Sequence, residues 1–184
     1  MSKISPNTPF QPVNINLLTV SSSRTLETDD AGIELVKAIS SLGHSVYERK
    51  IIHESLHHIR AIVSGWLIDD QVHAILVLGG TGFSVKDVSP EALEVLFDKK
   101  IDGYGELFRY LSFTELGSGA IQSRAVAGVA NQKVIFTMPS SPMGSKLAWE
   151  QLIAPQLDAR VRPCNFVSML LAGEAKCESR AISN

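Results

Sequence analysis

AILVLGGTGFSVKDVSPEA, residues 74–92, opens on an apolar run without polar alternation, Ala74 to Leu78. Such a run suits a strand buried on both faces of a parallel sheet. It halts at Gly79-Gly80-Thr81-Gly82, where glycines admit positive φ and leave main-chain N–H groups uncovered by side chains. Asp87 follows, and Ser89-Pro90-Glu91 reads as N-cap, N1 and N2 of a helix. Strand, glycine turn, acid and helix start together describe a place to hold a phosphate and its accompanying cation. The plainer alternatives are a tight turn without ligand at the glycines and a solvated acid near a helix start at Asp87.

Upstream of this stretch the pattern is regular. Val13–Val20 (VNINLLTV) reads as a strand, a helix ends near Ser41 with Gly43 as its stop, and Ser45–Ile52 reads as a second strand. Ser55 reads as the cap of a helix from Leu56 to about Ile68, with Leu56, Ile59, Val63, Trp66 and Leu67 on its buried stripe. This alternation predicts an α/β fold: a three-layer α/β/α arrangement around a mostly parallel, doubly wound sheet. Ligands of such sheets sit beyond the carboxyl ends of the strands. Ser21, His53, Glu54 and the segment Gly79–Asp87 should therefore converge there.

Downstream the reading is less regular. It expects a helix from Glu91 to about Phe97, a break over Ile101–Gly105, and a short helix over Glu106–Ser112. Another break follows at Gly117-Ser118-Gly119. Ala125–Ala130 and Lys133–Met138 read as strands joined by Asn131-Gln132, and the second ends in Pro139-Ser140-Ser141-Pro142. A last helix starts near Gly144 and is ended or kinked by Pro155.

The 184 residues fit one domain, read here as residues 13–166, with a flexible arm over 1–12 and a tail over 167–184. A hydrophobic share of 45% against 20% charged residues supplies a core and argues against global disorder. A net charge of −2 gives no field toward nucleic acid or acidic membrane. No apolar stretch is long enough to span a bilayer, and the first residues lack the apolar core of a signal peptide. Cys164 and Cys177 make neither a disulfide framework nor a zinc site, which suits a cytoplasmic, reducing home. His53-Glu54-Ser55-Leu56-His57 spells a zinc-protease pattern, but a cap at Ser55 puts His53 before the helix, so zinc chemistry is not expected.

Several stretches resemble the MoaB/MogA family of molybdenum-cofactor biosynthesis proteins, whose fold also occurs in gephyrin and MoeA. They are Leu18–Ser21 (LTVS), Asp30-Ala31-Gly32, Gly79–Leu93 (GGTGFSVKDVSPEAL), Gly103–Gly128 (GYGELFRYLSFTELGSGAIQSRAVAG) and Ala154–Phe166 (APQLDARVRPCNF). The last looks like the MoaB branch. The resemblance implies Mg-ATP-dependent adenylylation of molybdopterin, with release of pyrophosphate. It implies that Gly79, Gly80, Thr81 and Gly82 meet phosphate oxygens, and that Asp87 helps to hold Mg²⁺. Glu106 would join Asp87 as a catalytic acid. Ser21, Asp30, Ser123, Arg124 and the loop Pro139, Ser140, Ser141 and Pro142 would border the substrates. It further implies a homo-oligomer, a trimer or hexamer, and neither zinc nor haem. Two positions depart from the family: His53 stands where adenylylating members carry a second acid, and Ser140 where they carry glycine. The first departure points to an alternative, a member that binds molybdopterin or nucleotide without turnover.

Overall fold

The run Ala74–Leu78 forms a strand whose residues are all buried, as its lack of polar alternation requires. It lies inside a sheet in a computed structural model that describes residues 3–171. In chain order the elements begin β1 (Lys3–Ile4), β2 (Asn14–Val20), α1 (Asp30–Ser41), β3 (Ser45–Ile52), α2 (Leu56–Leu67), β4 (Ala74–Leu78) and α3 (Ser89–Leu93). They continue with β5 (Lys99–Lys100), α4 (Asp102–Leu116), β6 (Ala127–Ala130), β7 (Lys133–Met138), α5 (Pro142–Ala148), α6 (Ala154–Gln156), β8 (Val161–Arg162) and α7 (Val167–Leu171). A six-stranded sheet has the order β3-β2-β4-β7-β6-β5. The pairs β2–β3, β2–β4 and β4–β7 are parallel, and β6 runs antiparallel to both β5 and β7. This is the expected α/β/α arrangement, mostly parallel, with its antiparallel part in the second half.

Strand periodicity divides the core into two seams. Ile15, Leu17, Leu76 and Leu78 face α1, α4 and α5, whereas Leu18, Val20, Ile75 and Val77 face α2 and α3. Burying each such aliphatic side chain is worth about 1.5–3 kcal/mol. Asn131 and Gln132 take φ of 44° and 59°, the left-handed pair that lets a two-residue turn match the twist of β6 and β7.

The second half departs from the sequence reading in its helices. The glycines taken as a break lie within α4, which runs on to Leu116. Gly105 serves close packing: a Cβ there would sit 2.6 Å from the Ala125 carbonyl oxygen. α5 starts at Pro142, because the Ser141 side chain caps it by accepting from the Gly144 N–H. The segment read as an arm contains β1, which pairs with β8. The segment read as a tail begins with α7, whose Val167 is fully buried, and residues 172–184 lie outside the described residues. Among the described residues no helix is long and apolar enough to cross a membrane.

Two imidazoles hold the amino end of β2. The Val13 N–H donates to His44 Nδ1 (3.2 Å), and the Asn14 N–H donates to His73 Nδ1 (2.9 Å). Both rings must stay neutral at Nδ1 to accept. Burial lowers the pKa of each from 6.5; Asp158 partly opposes this at His44, and Lys133 adds to it at His73. The unfolded chain therefore takes up these protons first as pH falls. Stability is complete above the unfolded value of 6.5, declines below it, and levels once both folded rings have titrated. Melting curves between neutral pH and about pH 5 should show this loss, and His44→Asn with His73→Asn, which keeps an acceptor at each site, should reduce it.

Candidate functional site

β4 and β7 are neighbours, so the turns after them open side by side at the carboxyl end of the sheet. The Gly79 N–H donates to the Met138 carbonyl (2.9 Å), which sets the two turns in register. Gly79 and Gly80 take φ of +90° and +66°, a tight turn that only glycine adopts readily, and turns of this sort can leave successive main-chain N–H groups open to an anion. Among the described residues, no protein acceptor takes the N–H of Gly80 or Thr81. A cleft of about 360 Å³ opens over this turn. Its other walls are Pro139–Ser141, the start of α5, the end of α4 and the 3₁₀ turn Gly117–Gln122.

Asp87 closes the side of the cleft. Its Oδ2 accepts from the Ser84 N–H at 2.9 Å. Partial desolvation pushes its carboxyl up, but the bonds from Ser84 and Gly82 and the charge of Arg124 outweigh this and hold it below the usual range. It therefore stays ionised at neutral pH.

The Pro139–Pro142 loop is held from below. Arg24 Nη1 donates to the Ser140 carbonyl (2.8 Å) and pairs with Asp29 Oδ1 (3.4 Å). Asp29 is fully buried and also accepts from Thr19 Oγ1 (2.7 Å) and Arg49 Nη2 (3.1 Å). Among non-glycine described residues only Asn131 and Gln132 have positive φ, so Ser140 occupies its position without left-handed strain.

The expected site residues divide. Gly79, Gly80, Thr81, Gly82, Asp87, Ser123, Pro139, Ser140 and Ser141 line this cleft. Pro142 faces the neighbouring groove between α1 and α5. Ser21 bonds to Ile52 and Ser23 and is not part of the lining. Asp30 is exposed on the first turn of α1, and its neighbour Asp29 is the buried acid. Glu106 is exposed and lines a separate hollow beside Lys100 and Arg109, because the continuous α4 turns it away from Asp87. Arg124 lies behind the turn: Nε donates to the Gly82 carbonyl (2.7 Å), Nη2 to the Asp87 carbonyl (2.7 Å), and Nη1 pairs with Glu91. His53 and Glu54 are also outside the lining; Glu54 accepts from the Ser22 N–H (3.1 Å) and hydroxyl (3.3 Å).

Sequence reading missed Ser112, Glu115 and Gln122, which also line the cleft. Ser112 and Glu115 are three residues apart on one helix, a spacing visible only once α4 is continued past Ser112. Ser55 does cap α2, accepting from the His58 N–H, and this leaves His53 ahead of the helix and off the face of His57. Among the described residues no group of three or more His, Cys, Asp or Glu side chains could hold a metal ion. A magnesium ion shared with phosphates does not need one: it is bound through one or two carboxylates plus phosphate and water oxygens. The ionised Asp87, beside the N–H groups of Gly80 and Thr81, fits that requirement.

Residues 16–159 match the family described as "Probable molybdopterin binding domain". The chain is 50% identical over 166 residues to molybdenum cofactor biosynthesis protein B of Escherichia coli (strain K12), covering 90% of this chain and 96% of that protein. It is 40% identical over 151 residues to the protein of the same name from Bacillus subtilis (strain 168), covering 82% and 89%. A crystal structure of a molybdenum cofactor biosynthesis protein B superposes with a TM-score of 0.78 at 38% identity, covering 80% of this chain and 92% of the other.

Proposed function

From the premise that this chain belongs to the molybdenum cofactor biosynthesis protein B family and carries its molybdopterin-binding domain, we propose that it adenylylates molybdopterin with Mg-ATP. The observation that supports this reading is the pairing of unengaged Gly80 and Thr81 N–H groups with the ionised carboxylate of Asp87 in a single cleft. In the reaction a terminal phosphate oxygen of molybdopterin attacks the α-phosphorus of ATP. The bond to the β-phosphate breaks and pyrophosphate leaves. Main-chain N–H groups of the glycine turn bind oxygens of the leaving pyrophosphate, and Asp87 is the residue that would hold a magnesium ion beside it. The ion, when bound, neutralises charge building on those oxygens. Nucleotidyl transfer asks mostly for position and charge, so a site with few reactive side chains suffices.

A second reading is favoured by one observation: His53 stands where adenylylating members of the resembled family carry a second acid. A chain lacking the second acid would bind the pterin or nucleotide and not turn over. Pyrophosphate release from authentic molybdopterin and Mg-ATP separates the two readings. Release by the wild type supports adenylylation. Release only by His53→Asp supports the silent reading, and release by neither rejects the reaction.

The proposed assembly is a homo-oligomer, a trimer or a hexamer. α4 supports it by leaving Leu107, Tyr110, Phe113 and Leu116 each more than half exposed, a costly surface for a lone copy. Sedimentation should give an oligomer for the wild type and a monomer for Leu107→Glu with Tyr110→Glu. A wild-type monomer at micromolar concentration would reject the assembly.

A further inference from the structure

Every carbonyl of the glycine turn is already engaged. Ser89 Oγ donates to the Gly79 carbonyl (2.7 Å), and the Ser89 N–H donates to that of Gly80 (3.0 Å). The Arg124 N–H donates to the Thr81 carbonyl (2.9 Å), and Arg124 Nε to that of Gly82 (2.7 Å). Ser89 is fully buried, and the remaining guanidinium nitrogens of Arg124 are taken by Glu91 and the Asp87 carbonyl. The Arg124 side chain also lies over the Phe83 ring, 5.2 Å from its centre. Ser89 thus does not cap α3, as its sequence position suggests; Val88 is the N-cap residue, and the Ser89 hydroxyl points back to the turn.

A trans peptide directs its C=O and the following N–H to opposite sides. Tying the carbonyls of Gly79, Gly80, Thr81 and Gly82 to Ser89 and Arg124 therefore turns the N–H groups that follow them away from those two residues: that of Gly82 meets the Asp87 carboxylate, and those of Gly80 and Thr81 are left for an anion. We propose that Ser89 and Arg124 are positioning residues, which orient the main-chain donors of the turn toward the polyphosphate of a nucleotide without touching it themselves. The inference rests on the anion-binding reading of the cleft. Its physical content is preorganisation: donors already aimed need no rearrangement when the anion arrives. The Arg124 guanidinium is meanwhile paired with Glu91 and bonded to the Gly82 and Asp87 carbonyls, so its donors are not free for an incoming phosphate.

The test uses inorganic pyrophosphate with magnesium as the probe, followed by calorimetry and by backbone amide NMR of the whole chain. Ser89→Ala removes one donor from a buried site. Arg124→Lys keeps the charge and loses the planar fork that reaches Gly82, Asp87 and Glu91 together. In each variant the amide resonances of Gly80, Thr81 and Gly82 should move in the free protein, and pyrophosphate affinity should fall about tenfold or more. Substitution at Ser89 carries the test by itself if Arg124→Lys does not fold. Unmoved free-state resonances in Ser89→Ala, with wild-type affinity, would overturn the positioning role while leaving the anion site standing. No perturbation of the turn amides by pyrophosphate in the wild type would overturn the anion site, and the positioning role with it.

Discussion

Asp87→Asn should release pyrophosphate from Mg-ATP and molybdopterin more than about 100-fold more slowly than the wild type, the scale of losing one charge-stabilising group from a preorganised site. Asparagine retains the size of the side chain and an oxygen to accept the Ser84 N–H, so the turn keeps its shape and the melting temperature should hardly change. What is lost is the anionic oxygen that a hard dication prefers. Raising magnesium should recover part of the rate, since the defect lies in holding the ion. The carboxyl is held below its usual range despite partial desolvation, so no inflection from Asp87 should mark the wild-type pH profile near neutrality. Wild-type turnover by Asp87→Asn would remove the acid from the reaction.

The second large effect is expected at Gly80. Its φ of +66° costs an alanine roughly 1–2 kcal/mol, and the added Cβ would collide with Ser89 Oγ. The only relief is to push Ser89 off the turn, which frees the carbonyls it holds. Gly80→Ala should therefore lose more than about 100-fold in pyrophosphate release, again on the scale of a removed transition-state donor. Gly103→Ala is the matched control: nothing lies within 4 Å of a Cβ there, and the residue is inside α4. Alanine should be neutral there or stabilise the protein by up to about 1 kcal/mol. Equal effects at the two glycines, read by the same assay and melts, would refute a special role for the turn at Gly80.

The parts of this molecule that could be read directly are those governed by local pattern. The unbroken run Ala74–Leu78 declares burial on both faces, and the stripe Ile59, Val63, Trp66 and Leu67 declares one buried helix face. The β, α alternation places the turn after β4 at the carboxyl end of the sheet, so Gly79–Gly82 and Asp87 could be named from pattern, whereas Ser123 and Pro139–Ser141 could be named only through the family resemblance.

What escaped depends on partners remote in the chain. Gly105 looks like a helix breaker until the Ala125 carbonyl is seen against it. Arg124 looks like a phosphate ligand until its guanidinium is found bonded to Gly82 and Asp87, more than thirty positions away. Asp29 and Asp30 are indistinguishable as letters; the helix start buries one against Arg49 and leaves the other in water. Glu106 shares a segment with residues near the cleft, yet the 3.6-residue period of α4 turns it to another side.

The short ribbon of Lys3–Ile4 with Val161–Arg162 has a practical bearing. Ile4 and Val161 share a hollow with His44, at the amino ends of the parallel strands, whereas the glycine turn follows the carboxyl end of β4. A biotin or affinity handle joined ahead of residue 3 would therefore tether the protein to a sensor chip by its remote end and leave the cleft open to flowing analyte. Immobilisation through an engineered cysteine on the loop around Val85, beside Asp87, should by contrast block access to it.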